Sequence, residues 1–325
     1  MKSPLLALPG AVPAEGADEG VAAHYGDIFR EQRNLSRGTG FVDLSHRGVV
    51  TVTGADRLAW LHLLLTQHVS GLEPQHATEA LVLSPNGHVE HALYLVDDGT
   101  TTWAHVEPGT QGALVGYLES MKFFYRVEVA DATADYAVVH LPAGSTGSVE
   151  GAAAVRELPY GRDLFVPRAE LAELASARLS NGFGPAAGIW AYEALRIEGH
   201  RPRLGFETDH RTIPHEVDWL RTAVHLQKGC YRGQETVARV HNLGRPPRRL
   251  VFLHLDGTEE TLPPHGTEVR LATDPDGRAL GFVTSSARHH ELGPIALAIV
   301  KRNVPVDAVL LAGTVPGTQD VIVPQ

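Results

Sequence analysis

The apolar residues change their periodicity once along this chain, near Arg249, and that change limits the folds open to it. Before it, short strands alternate with single helices. After it, only short strands follow, cut by glycine and proline. Residues 49–52 read as a strand, and Gly54 introduces a helix whose Leu58, Leu61, Leu65 and Val69 recur at helical spacing. Residues 80–83 and 88–96 flank Ser84-Pro85-Asn86-Gly87, whose Asn-Gly pair suits a tight hairpin turn. After Asp97-Asp98-Gly99, residues 101–106 return as a strand, Leu114, Leu118 and Met121 mark a helix, and Tyr125, Val127 and Val129 alternate. Residues 136–141 and 164–166 are strand-like, 170–179 and 186–198 helical, and 144–151 a loop of small residues. Strands interleaved with single helices make an α+β region. Residues 199–245 show little periodicity. Strands at 250–255, 268–272, 280–284, 295–300 and 308–311, with a turn at Asp276-Gly277, then predict a small all-β barrel or sandwich.

A chain of 325 residues has two or three domains as its prior, at roughly 100–200 residues each. Its net charge of −10 does not suit a protein that coats nucleic acid, so no DNA partner is expected. A single cysteine excludes an internal disulfide, a CxxC pair and any cluster or zinc site built from several thiolates of one chain. The 18 histidines are scattered, and the adjacent His289 and His290 have no ligands near them at metal spacing. They read as solvated or locally hydrogen-bonded, and no metal site is expected. The apolar residues 4–12 are broken by Pro4 and Pro9, followed by Pro13, and preceded by Lys2 alone, which does not make a secretory signal. No segment reaches the roughly 18 apolar residues of a membrane helix. A cytoplasmic protein with no membrane partner is expected, and residues 1–23, rich in Gly, Ala, Pro and Glu, read as a flexible tail.

Several catalytic signatures are missing. There is no GxGxxG, no GxSxG and no Gly-Lys dipeptide for a P-loop. His215-Glu216 opens an HExxH-like run, but Trp219 holds the second histidine position. What remains is Lys228-Gly229-Cys230-Tyr231-Arg232-Gly233-Gln234-Glu235. It places the sole cysteine two residues from one of only four lysines. A helix from Gln234 would set the thiol near a helix start, where Lys228 and Arg232 also favour thiolate. Cys230 and Lys228 are therefore the candidate catalytic pair, against the alternative of a small cysteine that only packs.

This octapeptide, followed by Thr-Val-Ala-Arg, resembles the signature of the YgfZ-type folate-binding proteins, relatives of mitochondrial iron–sulfur assembly factors. Val52-Thr53-Gly54-Ala55-Asp56, the segment 83–90, Leu195-Arg196-Ile197-Glu198-Gly199, Ile213-Pro214-His215-Glu216 and the strands of 249–300 resemble other parts of that family, over about residues 40–302. The wider superfamily includes the aminomethyltransferase of glycine cleavage. The resemblance implies a three-domain cloverleaf. Residues 24–245 would form two α+β domains, the second inserted at about 52–131, and 246–325 a C-terminal β-barrel.

It also implies a tetrahydrofolate site. Glu198 matches a carboxylate that faces the pterin, whose adjacent N–H donors a carboxylate accepts in pairs. Tyr192, with Trp190 nearby, is a candidate stacking surface. Tyr231, Gln234, Glu235 and Arg239 complete the folate-binding set. Where the transferases carry a catalytic aspartate this chain has His91, after Glu90. Arg239, Arg245, Arg248, Arg249 and His241 form a basic cluster for a folate tail, an RNA or only water. The implied function is a monomeric, tetrahydrofolate-binding factor that assists assembly or repair of iron–sulfur clusters in client proteins. The alternatives are a folate-dependent aminomethyl or one-carbon transferase, and an interaction protein that keeps the fold without folate.

Overall fold

The computed structural model describes residues 1–147, 151–173, 182–258 and 261–323. It divides into two compact units, residues 1–81 with 91–192, and 82–90 with 193–325. The division falls inside a helix, Ile189–Glu198, and residues 193–245 count with the strands that follow.

In the first unit, one five-stranded sheet runs in the order Ala154–Leu158, Gly161–Pro167, Tyr136–Pro142, Phe41–Asp43, Ala186–Ala187. The last pair is parallel, so Ala186 and Ala187 extend a sheet instead of starting the following helix, which begins at Ile189. The strand Ala154–Leu158 has no counterpart in the sequence reading, and the helix expected over 170–179 falls mostly on residues outside those described. The second five-stranded sheet (Ala77–Leu83, Val89–Asp97, Thr101–Val106, Gly48–Thr53, Glu128–Asp131) lies in sequence between two neighbours of the first. Its helix Arg57–Leu64 stops short of Val69, because Thr66 turns to donate its N–H to Leu81 O. A buried polar network ties the sheets together: the Asp163 carboxylate meets His105 Nε2 at 3.1 Å, His140 Nδ1 at 2.8 Å and Arg156 Nη1 at 3.0 Å.

The N-terminal segment is not a flexible tail. Val12–Pro13 pairs antiparallel with Ala22–His24, Ser3 N donates to Gly20 O, and Leu5 packs at 1% exposure into the core with Phe41, Leu164 and Phe183. Composition suggests mobility, but Leu5, Val21, Ala22 and Ala23 are apolar residues with core to bury in, which outweighs the Gly and Pro content.

The second unit carries a closed six-stranded antiparallel barrel, Arg248–Leu255, Gly293–Lys301, Gly281–His289, Glu268–Leu271, Leu310–Ala312 and Val315–Val321, the last pairing back to the first. Val251, Leu253 and Leu255 face inward with Ala296, Ala298 and Val300, as the two-residue alternation of a closed sheet requires. The sixth strand has no clear sequence signal because Pro316 and Gly317 interrupt it. A bulge at Val283/Ser285 breaks the alternation of its strand. The adjacent hydroxyls of Thr284 and Ser285 therefore both reach Glu207 Oε1, at 2.8 and 2.6 Å.

Candidate functional site

The hairpin tip and the octapeptide, far apart in sequence, meet in the second unit. Ser84 O accepts from Gly87 N at 2.9 Å, with Pro85 and Asn86 between them. Gly87 takes a positive φ (80°), so the tight turn is closed over Ser84–Gly87 and ends in a left-handed glycine. Ser84 Oγ accepts from Asn86 N and His88 N, and Val89 N donates to Thr212 O at 2.8 Å.

Gly233 precedes the helix Gln234–Leu243 with φ 81°. A Cβ there would stand 2.6 Å from Ser84 O and 2.9 Å from Gly87 Cα. Only glycine permits both the conformation and the approach. Arg232 then aims its guanidinium at the hairpin, with Nη1 3.1 Å from Glu90 Oε2. Lys228 is buried at 6% exposure, its Nζ 5.1 Å from the centre of the Tyr231 ring, and Tyr231 is buried too. Burial lowers the Lys228 amine to a pKa of about 8 and raises the Tyr231 phenol to about 12, since each change favours the neutral form. Cys230, between these two buried residues, is exposed. It is not the packing cysteine of the alternative reading.

The Ile213-Pro214-His215-Glu216 turn is fixed by its acid. Glu216 Oε2 accepts from Ile213 N, and Arg248 donates to both Glu216 oxygens at 2.9 Å while also meeting Asp209 at 2.6 Å. His215 is buried, and burial, with His241 in range, brings its pKa down to about 4.

The expected basic cluster is thus dispersed. Arg248 is spent on Asp209 and Glu216, and Arg249 is buried in the barrel, donating to Val304 O and Gln319 Oε1. Arg239, Arg245 and His241 remain exposed. Strand alternation explains the loss: Arg248 and Arg249 begin a barrel strand and point to opposite faces.

The expected folate-binding residues divide in the same way. Glu198 ends the helix Ile189–Glu198 with its side chain 45% exposed, and His289 Nε2 lies 3.3 Å from its Oε2. Gln234 is half-buried at the helix start. Glu235 and Arg239 are mostly exposed and pair with each other one turn apart at 3.3 Å. Tyr192 is buried in the first unit, edge-on to His140 at 5.1 Å between ring centres, whereas Trp190 is half exposed beside His24. His91 is half-buried. Of the two readings of the histidines, solvated or locally hydrogen-bonded, His289 follows the second: it is 2% exposed, and its Nδ1 accepts from Glu291 N and Leu292 N. Among the described residues no group of three or more His, Cys, Asp or Glu could hold a metal, and no helix is long and apolar enough to cross a membrane.

This architecture is the fold of the aminomethyltransferases. The glycine cleavage system aminomethyltransferase T of Bartonella henselae superposes with a TM-score of 0.81, over 98% of this chain and 94% of that one, at 18% identity. No protein-family model matches the sequence. Among curated proteins, the chain is similar to a putative chloroplastic transferase of Arabidopsis thaliana (25% identity over 83% of this chain and 66% of that protein). It is equally similar to a mitochondrial iron–sulfur cluster assembly factor, the IBA57 homolog of Mycosarcoma maydis (25%, over 79% and 73%). An aminomethyltransferase of Geobacillus kaustophilus is 26% identical over 91% and 88%.

Proposed function

We propose that this protein binds a reduced folate and assists assembly or repair of iron–sulfur clusters in client proteins, acting in the cytoplasm as a monomer. The observation that carries the reading is the joint formed by Glu90, Arg232 and Gly233 around an exposed Cys230. In the transferases implied by the resemblance, the strand after this hairpin carries a catalytic aspartate. Here the matching position is His91, and the neighbouring Glu90 carboxylate holds Arg232. The carboxylate chemistry of a transferase is replaced by support for a loop that presents a thiol. An accessible thiolate attacks a sulfur–sulfur bond of a partner, releases its distal sulfur as thiolate and forms a mixed disulfide. The similarity to an iron–sulfur assembly factor supports the same reading.

Glu198 fits a folate: an accessible carboxylate at a helix end can accept the paired N–H donors of a pterin edge. Glu235 and Arg239 fit poorly, because each already satisfies the other on a solvated helix face. Bound tetrahydrofolate supplies ring nitrogens that take up or release a one-carbon unit. Lys228, Tyr231 and Gln234 would shape the wall between that ligand and the thiol.

The test uses cells lacking the native gene. Cys230→Ser is expected to leave the protein folded and folate-binding yet fail to sustain iron–sulfur enzyme activity. Full rescue by this variant would remove the thiol from the function. Formation of methylenetetrahydrofolate from an aminomethyl-carrying lipoyl partner would establish the transferase alternative instead.

A further inference from the structure

Glu198 stands where a carboxylate is electrostatically disfavoured. It is the last residue of the helix Ile189–Glu198, beside backbone carbonyls that carry the negative end of the helix dipole. Gly199 N and His200 N turn back to donate to Leu195 O and Ile197 O, and His200 closes the end in the left-handed region (φ 55°). None of these donors serves the Glu198 side chain. An acid in that place calls for a compensating donor, and the barrel brings one close to it.

His289 ends the strand Gly281–His289 with its ring buried. Its Nδ1 accepts from two backbone amides, Glu291 N at 3.2 Å and Leu292 N at 3.1 Å. A nitrogen that accepts twice cannot carry a proton, so the ring is the neutral tautomer with its proton on Nε2. Burial disfavours the imidazolium further and, with the neighbouring His290 ring 4.5 Å away acting in the same direction, outweighs the Glu198 and Glu291 carboxylates that favour it. Nε2 therefore carries the proton and lies 3.3 Å from Glu198 Oε2, close to the carboxylate but not in hydrogen-bond geometry with it, with 1% of the His289 side chain and 45% of the Glu198 side chain exposed. The donor is rigid and dry while the acceptor is open to a ligand. The buried Nε2 has no hydrogen-bond partner in this arrangement, so a carboxylate turned by a ligand would give it one.

We infer that His289 is a positioning residue: its Nε2–H fixes the Glu198 carboxylate in the orientation that receives a ligand with two adjacent N–H donors, such as an aminopyrimidinone edge. This rests on the folate reading of Glu198. Each carboxylate oxygen has two lone pairs, so Oε2 can keep His289 and still accept from the ligand.

The experiment titrates full-length protein calorimetrically with tetrahydrofolate, comparing wild type, Glu198→Ala, His289→Asn and His289→Gln, with a thermal melt of each. The asparagine variant can keep an acceptor for the backbone amides but loses the distal donor; the glutamine variant places an amide N–H near the Nε2 position. The expected result is about tenfold weaker binding for His289→Asn with a near-native melt, and substantial recovery in His289→Gln. Wild-type affinity in His289→Asn with weakened Glu198→Ala would overturn the positioning role alone. Wild-type affinity in Glu198→Ala would overturn the folate reading beneath it. Histidine ¹⁵N spectra of the wild-type protein serve if a variant does not fold. The Nε2–H tautomer, with shifts that move on adding tetrahydrofolate, is expected; an Nδ1–H tautomer or unmoved shifts would overturn the inference.

Discussion

The barrel strand Gly281–His289 meets two glutamates, and they are treated in opposite ways. In its middle, Glu207 is 0% exposed and accepts from Arg196 Nη1 (3.0 Å), Arg203 N (2.8 Å), Thr284 Oγ1 (2.8 Å) and Ser285 Oγ (2.6 Å). At its end, Glu198 meets one imidazole and otherwise faces outward. The first carboxylate is saturated by the protein and has nothing left for a ligand; the second has an imidazole beside it and is not filled. A similar contrast separates two buried cations. Burial works against the charge of Arg196, but Glu193 and Glu207 outweigh it and its pKa rises, whereas burial over the Tyr231 face brings Lys228 down to about 8. On the proposed function, the charge enclosed by acids belongs to the architecture and the accessible or lowered one to the chemistry.

The contrast can be broken most forcefully at Glu207. Glu207→Gln leaves the Arg196 guanidinium buried beside a neutral amide and is expected to cost about 3–5 kcal/mol, read as a lower denaturant midpoint. Glu198→Ala should do the reverse: stability within about 0.5 kcal/mol of wild type, and tetrahydrofolate affinity lower by about 1.5–3 kcal/mol in a calorimetric titration. Gly233→Ala forces a Cβ against Ser84 O at a positive φ and should cost about 1–3 kcal/mol, with Cys230 alkylated at a changed rate because its loop has shifted. Lys228→Met sharpens the comparison of cations. A lysine lowered from 10.5 to about 8 binds more protons unfolded than folded between those values, so wild-type stability should rise with pH across that window. In the methionine variant that rise should shrink. Arg232→Ala removes a partly exposed ion pair and should cost no more than about 1 kcal/mol, while loosening protection of the hairpin amides in hydrogen exchange.

The barrel, the two flanking strands of the 84–87 turn and the helix after Gly233 were legible because each depends on local periodicity or turn chemistry. The pairing of Glu198 with His289 was not, because it joins a helix end to a strand end through backbone bonds at Nδ1 that leave no sequence pattern. Glu90–Arg232 was hidden because the two residues stand 142 positions apart in the chain. The basic cluster failed differently. Adjacent arginines look like one patch in a sequence, but strand alternation sends Arg248 to two acids and Arg249 into the barrel. The ordered N-terminus was missed because composition outweighed four apolar residues that had a core to join.

The near-contact of Gly87 with Gly233 has a consequence for how the chain comes to possess its thiol loop. Closing a contact between positions so distant in the chain is entropically costly and comes late in folding relative to local turns. The hairpin can form while the chain is still being made, but Cys230 acquires its shaped surroundings only when the octapeptide docks on that hairpin. A nascent or partly unfolded chain therefore carries the same cysteine in an unshaped loop. The setting of the thiol belongs to the closed topology, and a truncated chain that retains the octapeptide but loses the hairpin would keep the thiol without it.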